Sequence, residues 1–88
     1  MADDQQIFLE RAAAFITLCN EQAADIPGEQ VALSAIYGVT RYCAWLCSKR
    51  NADTATMAAN REEAVKMFGD EFNRMFADWY DHYANGNT

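Results

Sequence analysis

Apolar residues recur at helical spacing in the first part of the chain, which ends at its single proline. Asp3 and Asp4 precede the apolar run and can cap a helix and favour its dipole. Pro27, followed by Gly28, breaks the pattern. The spacing predicts a first helix over about residues 4–24. Its apolar arc spans about 200° at 100° per residue, which is wider than the stripe of an ordinary surface helix, so we expect this helix to touch two neighbours.

The second segment is predicted to be a helix over about residues 29–49 and is apolar around most of its circumference. Its polar positions follow one row, which includes Tyr37, Arg41 and Ser48. A helix that is apolar nearly all round is typically buried, and two short neighbouring helices cannot cover it. We therefore expect a homodimer or a higher oligomer.

A third amphipathic segment predicts a long helix over about residues 54–84, capped by Asp53 or Thr54. Its apolar positions are spaced three and four apart: Val65, Phe68, Phe72, Met75, Phe76, Trp79 and Tyr83. The opposite face offers two ion pairs at four-residue spacing, Glu62 with Lys66 and Asp70 with Arg74. Aromatic residues crowd the C-terminal end, where we expect contact with another subunit. The predicted oligomer interface comprises Trp45, Phe76, Trp79, Tyr80 and Tyr83.

Together these segments predict an all-α fold, a small antiparallel three-helix protein with a long C-terminal helix that associates as a helical homodimer. We expect residues 1–88 to form a single domain, and a hydrophobic share of 51% excludes a disordered chain. Gly38 and Gly69 lie inside predicted helices, where glycine costs about 0.5–1 kcal/mol relative to alanine. Either at least one of these glycines lies where the backbone of another helix crosses at close range, or both are tolerated small residues.

The charge balance is acidic, with 7 Lys and Arg against 13 Asp and Glu. Such a chain repels phosphate backbones, so we expect no nucleic-acid partner. The N-terminal sequence is not typical of a signal peptide, and no apolar run reaches the length of a membrane span. We expect a cytoplasmic protein without a membrane partner. Cys19, Cys43 and Cys47 contain no Cys-x-x-Cys and are interpreted as buried apolar thiols.

Two groups of polar residues could carry chemistry. An arginine within an apolar helix must reach water or a carboxylate. The row of Tyr37, Arg41 and Ser48 is therefore either a pocket or partner contact in which Arg41 holds an acidic group, or the site of a structural ion pair or of a surface arginine whose head reaches water. Asp78 and His82 lie four apart and are weak candidates for a metal shared by two subunits; alternatively, His82 only favours the helix dipole.

No recognisable catalytic constellation is present, so we expect no enzyme, no catalytic residue and no cofactor. The chain contains neither a phosphate-binding glycine loop nor a serine nucleophile elbow. We therefore expect a non-enzymatic protein-interaction or regulatory module acting as a homodimer. The alternative is a small-ligand or metal-binding protein that uses the Arg41 row or the Asp78 and His82 pair.

A set of apolar spacings and a few polar positions over about residues 8–83 carries a resemblance to a known family. These are Phe15-Ile16-Thr17-Leu18-Cys19-Asn20-Glu21, Ser34-Ala35, Tyr37, Arg41-Tyr42, Met67-Phe68, Phe72, Arg74-Met75 and Asp78 to Tyr80. In these residues the chain resembles a proteobacterial family of small helical proteins classed as a domain of unknown function. The resemblance implies a compact all-helical protein without an assigned activity or cofactor, and it carries over no catalytic residue.

Overall fold

The computed structural model describes residues 3–88, which form helices joined by short turns, with no strand in this range. The helices are α1 (Asp4–Gln22), α2 (Gly28–Arg50), α3 (Thr54–Ala59) and α4 (Arg61–Ala84). The all-α prediction is therefore confirmed. The chain divides into two units, Met1–Leu46 and Cys47–Thr88. That residues 1–88 form one domain stays a prediction.

Helix α1 begins and ends through local hydrogen bonds. The Asp3 carboxylate accepts from the Gln6 amide at 2.7 Å, which satisfies one of the free donors of the first turn. At the other end the Ala23 amide donates to the Cys19 carbonyl at 2.9 Å. Helix α1 ends at Gln22, slightly before its predicted end, and the chain then continues through turns to Pro27.

Helix α2 starts directly after Pro27, whose carbonyl accepts from the amides of Gln30 and Val31 at 3.1 and 3.4 Å. The hydroxyl of Thr40 donates to the carbonyl of Ile36 at 2.7 Å, so this polar group is satisfied within the apolar helix. The helix ends at Arg50, and the side-chain amide of the following residue, Asn51, donates to the Cys47 carbonyl at 2.7 Å. These bounds extend the predicted helix by one residue at each end.

The prediction of one continuous third helix is wrong, because Asn60 separates α3 from α4. Asn60 has φ −91° and ψ 5°, outside the helical region. Its side-chain amide donates to the Asn51 side-chain carbonyl at 2.9 Å, which ties this residue to the turn before α3. Asparagine also has a lower helix propensity than alanine. The result is a separate α4 of 24 residues, about as long as the 23 residues of α2.

The first unit lacks the antiparallel packing expected between α1 and α2, because no Cα of one lies within 8 Å of a Cα of the other. Among the described residues only Val31 is buried, with 3% of its surface exposed. An apolar surface that surrounds α2 does not select one face for α1, so helical spacing alone leaves the contact between these two helices unspecified. In the second unit, α3 and α4 approach each other closely at their junction.

The N-terminal cap of α3 predicts a pH dependence. Hydrogen bonds from Thr56, the larger one from its backbone amide at 2.7 Å, lower the pKa of the Asp53 carboxyl below its ordinary value of 3.8. A carboxyl whose pKa is lowered by folding stabilises the helix above its unfolded pKa, and this contribution is lost as the pH falls through the folded pKa. We expect Asp53→Ala to lower the melting temperature at neutral pH and to have less effect below pH 3.8, as measured by circular dichroism.

Asp53→Asn is the matched control, because asparagine caps helices well but does not titrate. The difference in melting temperature between Asp53→Asn and the unmodified chain should change with pH. The difference in melting temperature between Asp53→Asn and Asp53→Ala should not. Equal melting temperatures for all three chains at neutral pH would show that the cap does not stabilise the fold.

Candidate interaction surface

One continuous apolar surface runs along α4, here called the α4 stripe. It comprises the seven positions predicted from the sequence: Val65, Phe68, Phe72, Met75, Phe76, Trp79 and Tyr83. All seven lie within the single helix Arg61–Ala84, so the break at Asn60 leaves the stripe intact. Each side chain is exposed, with between 38% and 60% of its surface open to solvent.

Aromatic rings on and beside the α4 stripe contact one another along the helix. Phe72 stacks on Phe76 with ring centroids 5.9 Å apart, and Phe76 lies 6.0 Å from Tyr80. Trp79 lies 6.3 Å from Tyr83. Ring pairs of this kind contribute about 0.5–1.5 kcal/mol each beyond the area they bury. These contacts fix the rings relative to one another and leave their outer surfaces free.

The polar face of α4 carries ion pairs, although not those predicted from spacing. Lys66 pairs with Asp70 at 2.6 Å rather than with Glu62. Arg74 pairs with Glu71 at 2.8 Å and lies 3.9 Å from Asp78. The alternatives are nearly equal in energy because all of these side chains are exposed, where ion pairs contribute little. The hydrogen bond and charge of Glu71 raise the pKa of the Arg74 guanidinium.

Asp78 and His82 lie one turn apart on α4, and the metal site shared by two subunits stays a prediction. Asp78 lies beside Arg74, and the imidazole of His82 contacts the rings of Trp79 and Tyr83, each with centroids 5.1 Å apart. The His82 carbonyl accepts from the Asn87 side-chain amide at 3.0 Å. Within residues 3–88 no group of three or more His, Cys, Asp or Glu residues is placed to hold a metal ion.

The structure places the predicted polar row along α2. Tyr37 and Arg41 lie one turn apart in the first unit, and Ser48 lies in the part of α2 that belongs to the second unit. Arg41 is exposed and forms no ion pair with any described residue. The structural ion pair that was one interpretation of Arg41 is therefore absent within residues 3–88.

A hollow of 240 Å³ lies elsewhere, beside the junction of α3 and α4. It is lined by Asn60, Glu63, Ala64 and Met67. Ligand pockets usually enclose about 300–1,000 Å³, so this hollow is smaller than a typical small-molecule site. The sequence did not indicate it, because it depends on the Asn60 break.

The small and sulfur-containing residues also have defined surroundings. Cys19, Cys43 and Cys47 are free thiols and are half-buried rather than fully buried. A Cβ added at Gly38 or Gly69 would meet nothing within 4 Å. The close backbone crossing expected at one of these glycines is therefore absent within the described chain, because no neighbouring helix packs on either position.

A protein-family model matches residues 8–84, which is nearly the whole chain, and its description is "Protein of unknown function (DUF3144)". The chain belongs to the DUF3144 family. This confirms the resemblance to a domain of unknown function, while a proteobacterial origin stays a prediction. The DUF3144 match includes all of α2, α3 and α4 and most of α1. No curated protein and no solved structure matches the chain. Within residues 3–88, no helix combines the length and the apolar character that a membrane span requires.

The exposure of Arg41 predicts the effect of its removal. We expect Arg41→Met to change the free energy of unfolding by no more than about 0.5 kcal/mol, because surface substitutions away from a network of contacts have effects of this size. Chemical denaturation followed by circular dichroism measures this change. A loss of about 2 kcal/mol or more, the size associated with breaking a buried charged contact, would instead indicate a structural role for the guanidinium.

Proposed function

We propose that this chain is a non-enzymatic protein-interaction or regulatory module that acts as a homodimer. The observation that supports this most directly is the α4 stripe, whose apolar side chains follow one another from Val65 to Tyr83 with their outer surfaces exposed. At 1.5 Å per residue the stripe is about 27 Å long. Soluble monomers rarely expose a contiguous apolar surface of this extent.

The exposed area of the stripe suits an interface between proteins. Aromatic side chains bury about 150–250 Å² each when they are covered, and Phe72 and Trp79 leave 47% and 59% of their surfaces exposed. The residues of the α4 stripe offer roughly 800 Å², which is about the area that each partner contributes to a stable interface. A second copy presents the same area and the same chemistry.

Helix α2 supplies a further reason for association. Tyr42 and Trp45 are exposed and contact each other with ring centroids 5.9 Å apart. Only Val31 is buried among the described residues of the first unit. Burial of apolar surface contributes about 25 cal/mol of free energy for each Å² that is removed from water. Covering the apolar surfaces of α2 and α4 therefore favours assembly.

The homodimer is tested by light scattering at micromolar protein concentration, with a charge introduced into the α4 stripe. Phe72→Glu removes a ring and places a carboxylate on the apolar surface, so we expect the dissociation constant to rise about a hundredfold or more. Far-UV circular dichroism shows whether the chain stays helical.

Asn73→Glu is the matched control, because it introduces the same side chain at the next position, outside the α4 stripe. It should leave the dimer intact. A monomeric mass for the unmodified chain would refute the proposed homodimer, and equal weakening by both substitutions would exclude the α4 stripe as its contact surface.

A further inference from the structure

Gly69 and Phe76 occupy equivalent positions along one edge of α4. They are seven residues apart, which is close to two helical turns, so they share the same edge. A Cβ at Gly69 would meet nothing within 4 Å, so the backbone there is open. Phe76 projects from the same edge with 59% of its surface exposed. One edge therefore carries a gap and a projecting ring.

We propose that the two α4 helices of the homodimer pair in antiparallel orientation, with Phe76 of each copy seated over Gly69 of the other. This inference rests on the proposed homodimer and specifies its contact. The α4 stripe runs from Val65 to Tyr83, so its midpoint lies near Asn73 and Arg74. A two-fold axis at this midpoint lets each copy cover the whole α4 stripe of the other. It also brings Gly69 of each copy opposite Phe76 of the other, so the same contact forms twice in the dimer.

Side-chain size favours this orientation over a parallel one. In a parallel pair each residue faces its own copy, so Gly69 would face no ring, whereas the large rings of Phe68 and Trp79 face a ring in either orientation. In the antiparallel pair Val65 faces the larger His82. Apolar layers pack most densely when small residues face large ones.

The charges of α4 are also compatible with the antiparallel pair. Glu62 and Glu63 lie in the first turn, and His82 is the basic residue of the last turn. Asp81 lies beside His82 in that turn, so the end charges select neither orientation, but antiparallel pairing brings the opposite ends of the two helix dipoles together, whereas parallel pairing brings like ends together.

The other edge of the α4 stripe carries two carboxylates that would face each other across the pair. These are Glu71 and Asp78, and Arg74 of the same helix lies 2.8 Å from one and 3.9 Å from the other. The guanidinium offsets part of their repulsion. On the opposite edge, Gly69 and Phe76 are uncharged, so no charge repulsion opposes the packing of the Phe76 ring over Gly69.

Spin labels on the outer face of α4 distinguish the two orientations. Glu63, Asp70, Ala77 and Ala84 are seven residues apart and lie opposite the α4 stripe, and all four are exposed. Each is replaced singly by cysteine in a full-length chain whose Cys19, Cys43 and Cys47 are serine. Light scattering first establishes that this cysteine-free chain keeps the oligomeric state of the unmodified one.

The antiparallel pair separates equivalent labels along the helix axis by about 30 Å at positions 63 and 84 but by only about 10 Å at positions 70 and 77. We expect pulsed electron spin resonance to give distances that are short in the middle and long at both ends. Equal distances at all four positions in a dimeric chain would overturn the antiparallel orientation and leave the homodimer standing. A monomeric chain would overturn both.

The Gly69 contact is tested by a double-mutant cycle on the dimer dissociation constant. Gly69→Ala should weaken the unmodified dimer about tenfold, because the added methyl group displaces the Phe76 ring of the second copy. In a Phe76→Ala background the same substitution should have no effect or strengthen the dimer.

Two residues seven apart in one helix do not touch, so coupling between them reports a contact between copies. Asn73→Ala controls for helix propensity, because it also introduces alanine but lies outside the α4 stripe. Independent effects of Gly69→Ala and Phe76→Ala in a dimeric chain would overturn the proposed seating of the ring.

Discussion

The burial of apolar helix surface is the constraint on which the rest of this structure depends. The helices form through local hydrogen bonds and caps, as at Asp3 and Asp53. Such bonds and caps alone leave short helices only marginally stable in water, and most helical stability in proteins comes from packing an apolar face. Here only Val31 is buried among residues 3–88. The apolar surfaces of α2 and α4 therefore favour a partner, and the proposed homodimer supplies one.

The break at Asn60 determines which part of the second unit can take part in such packing. It ends α3 after six residues and starts α4 four residues before Val65. The hydrogen bond between the Asn60 and Asn51 side chains holds the break in place. Helix α4 is consequently free of α3 along its aromatic C-terminal half, where Trp79 and Tyr83 lie.

Features that depend on neighbouring residues could be predicted from the sequence. The capping aspartates, Pro27 and the spacing of apolar positions gave helix ends within about two residues, which is the usual uncertainty of such boundaries. The Asn60 break could not be predicted, because it depends on a side-chain bond to Asn51, nine residues earlier.

The candidate site was only partly predictable, for the same reason. Helical spacing correctly identified the α4 stripe and placed Tyr37 and Arg41 on one helix. It did not identify the carboxylates that pair with Arg74, since exposed residues three and four positions away compete at similar energies. The absence of packing between α1 and α2 was also beyond local patterns, because α2 is apolar on nearly every side.

The sparse burial within one copy means that the proposed homodimer would behave differently at different concentrations. When apolar surface is covered chiefly by a second copy, folding and association become one equilibrium governed by mass action. The fraction of well-packed molecules then rises with the number of chains present. Dilute chains open more often and are more readily cleaved by proteases, which act on transiently opened states. The proposed homodimer would in this way couple its own lifetime to its abundance.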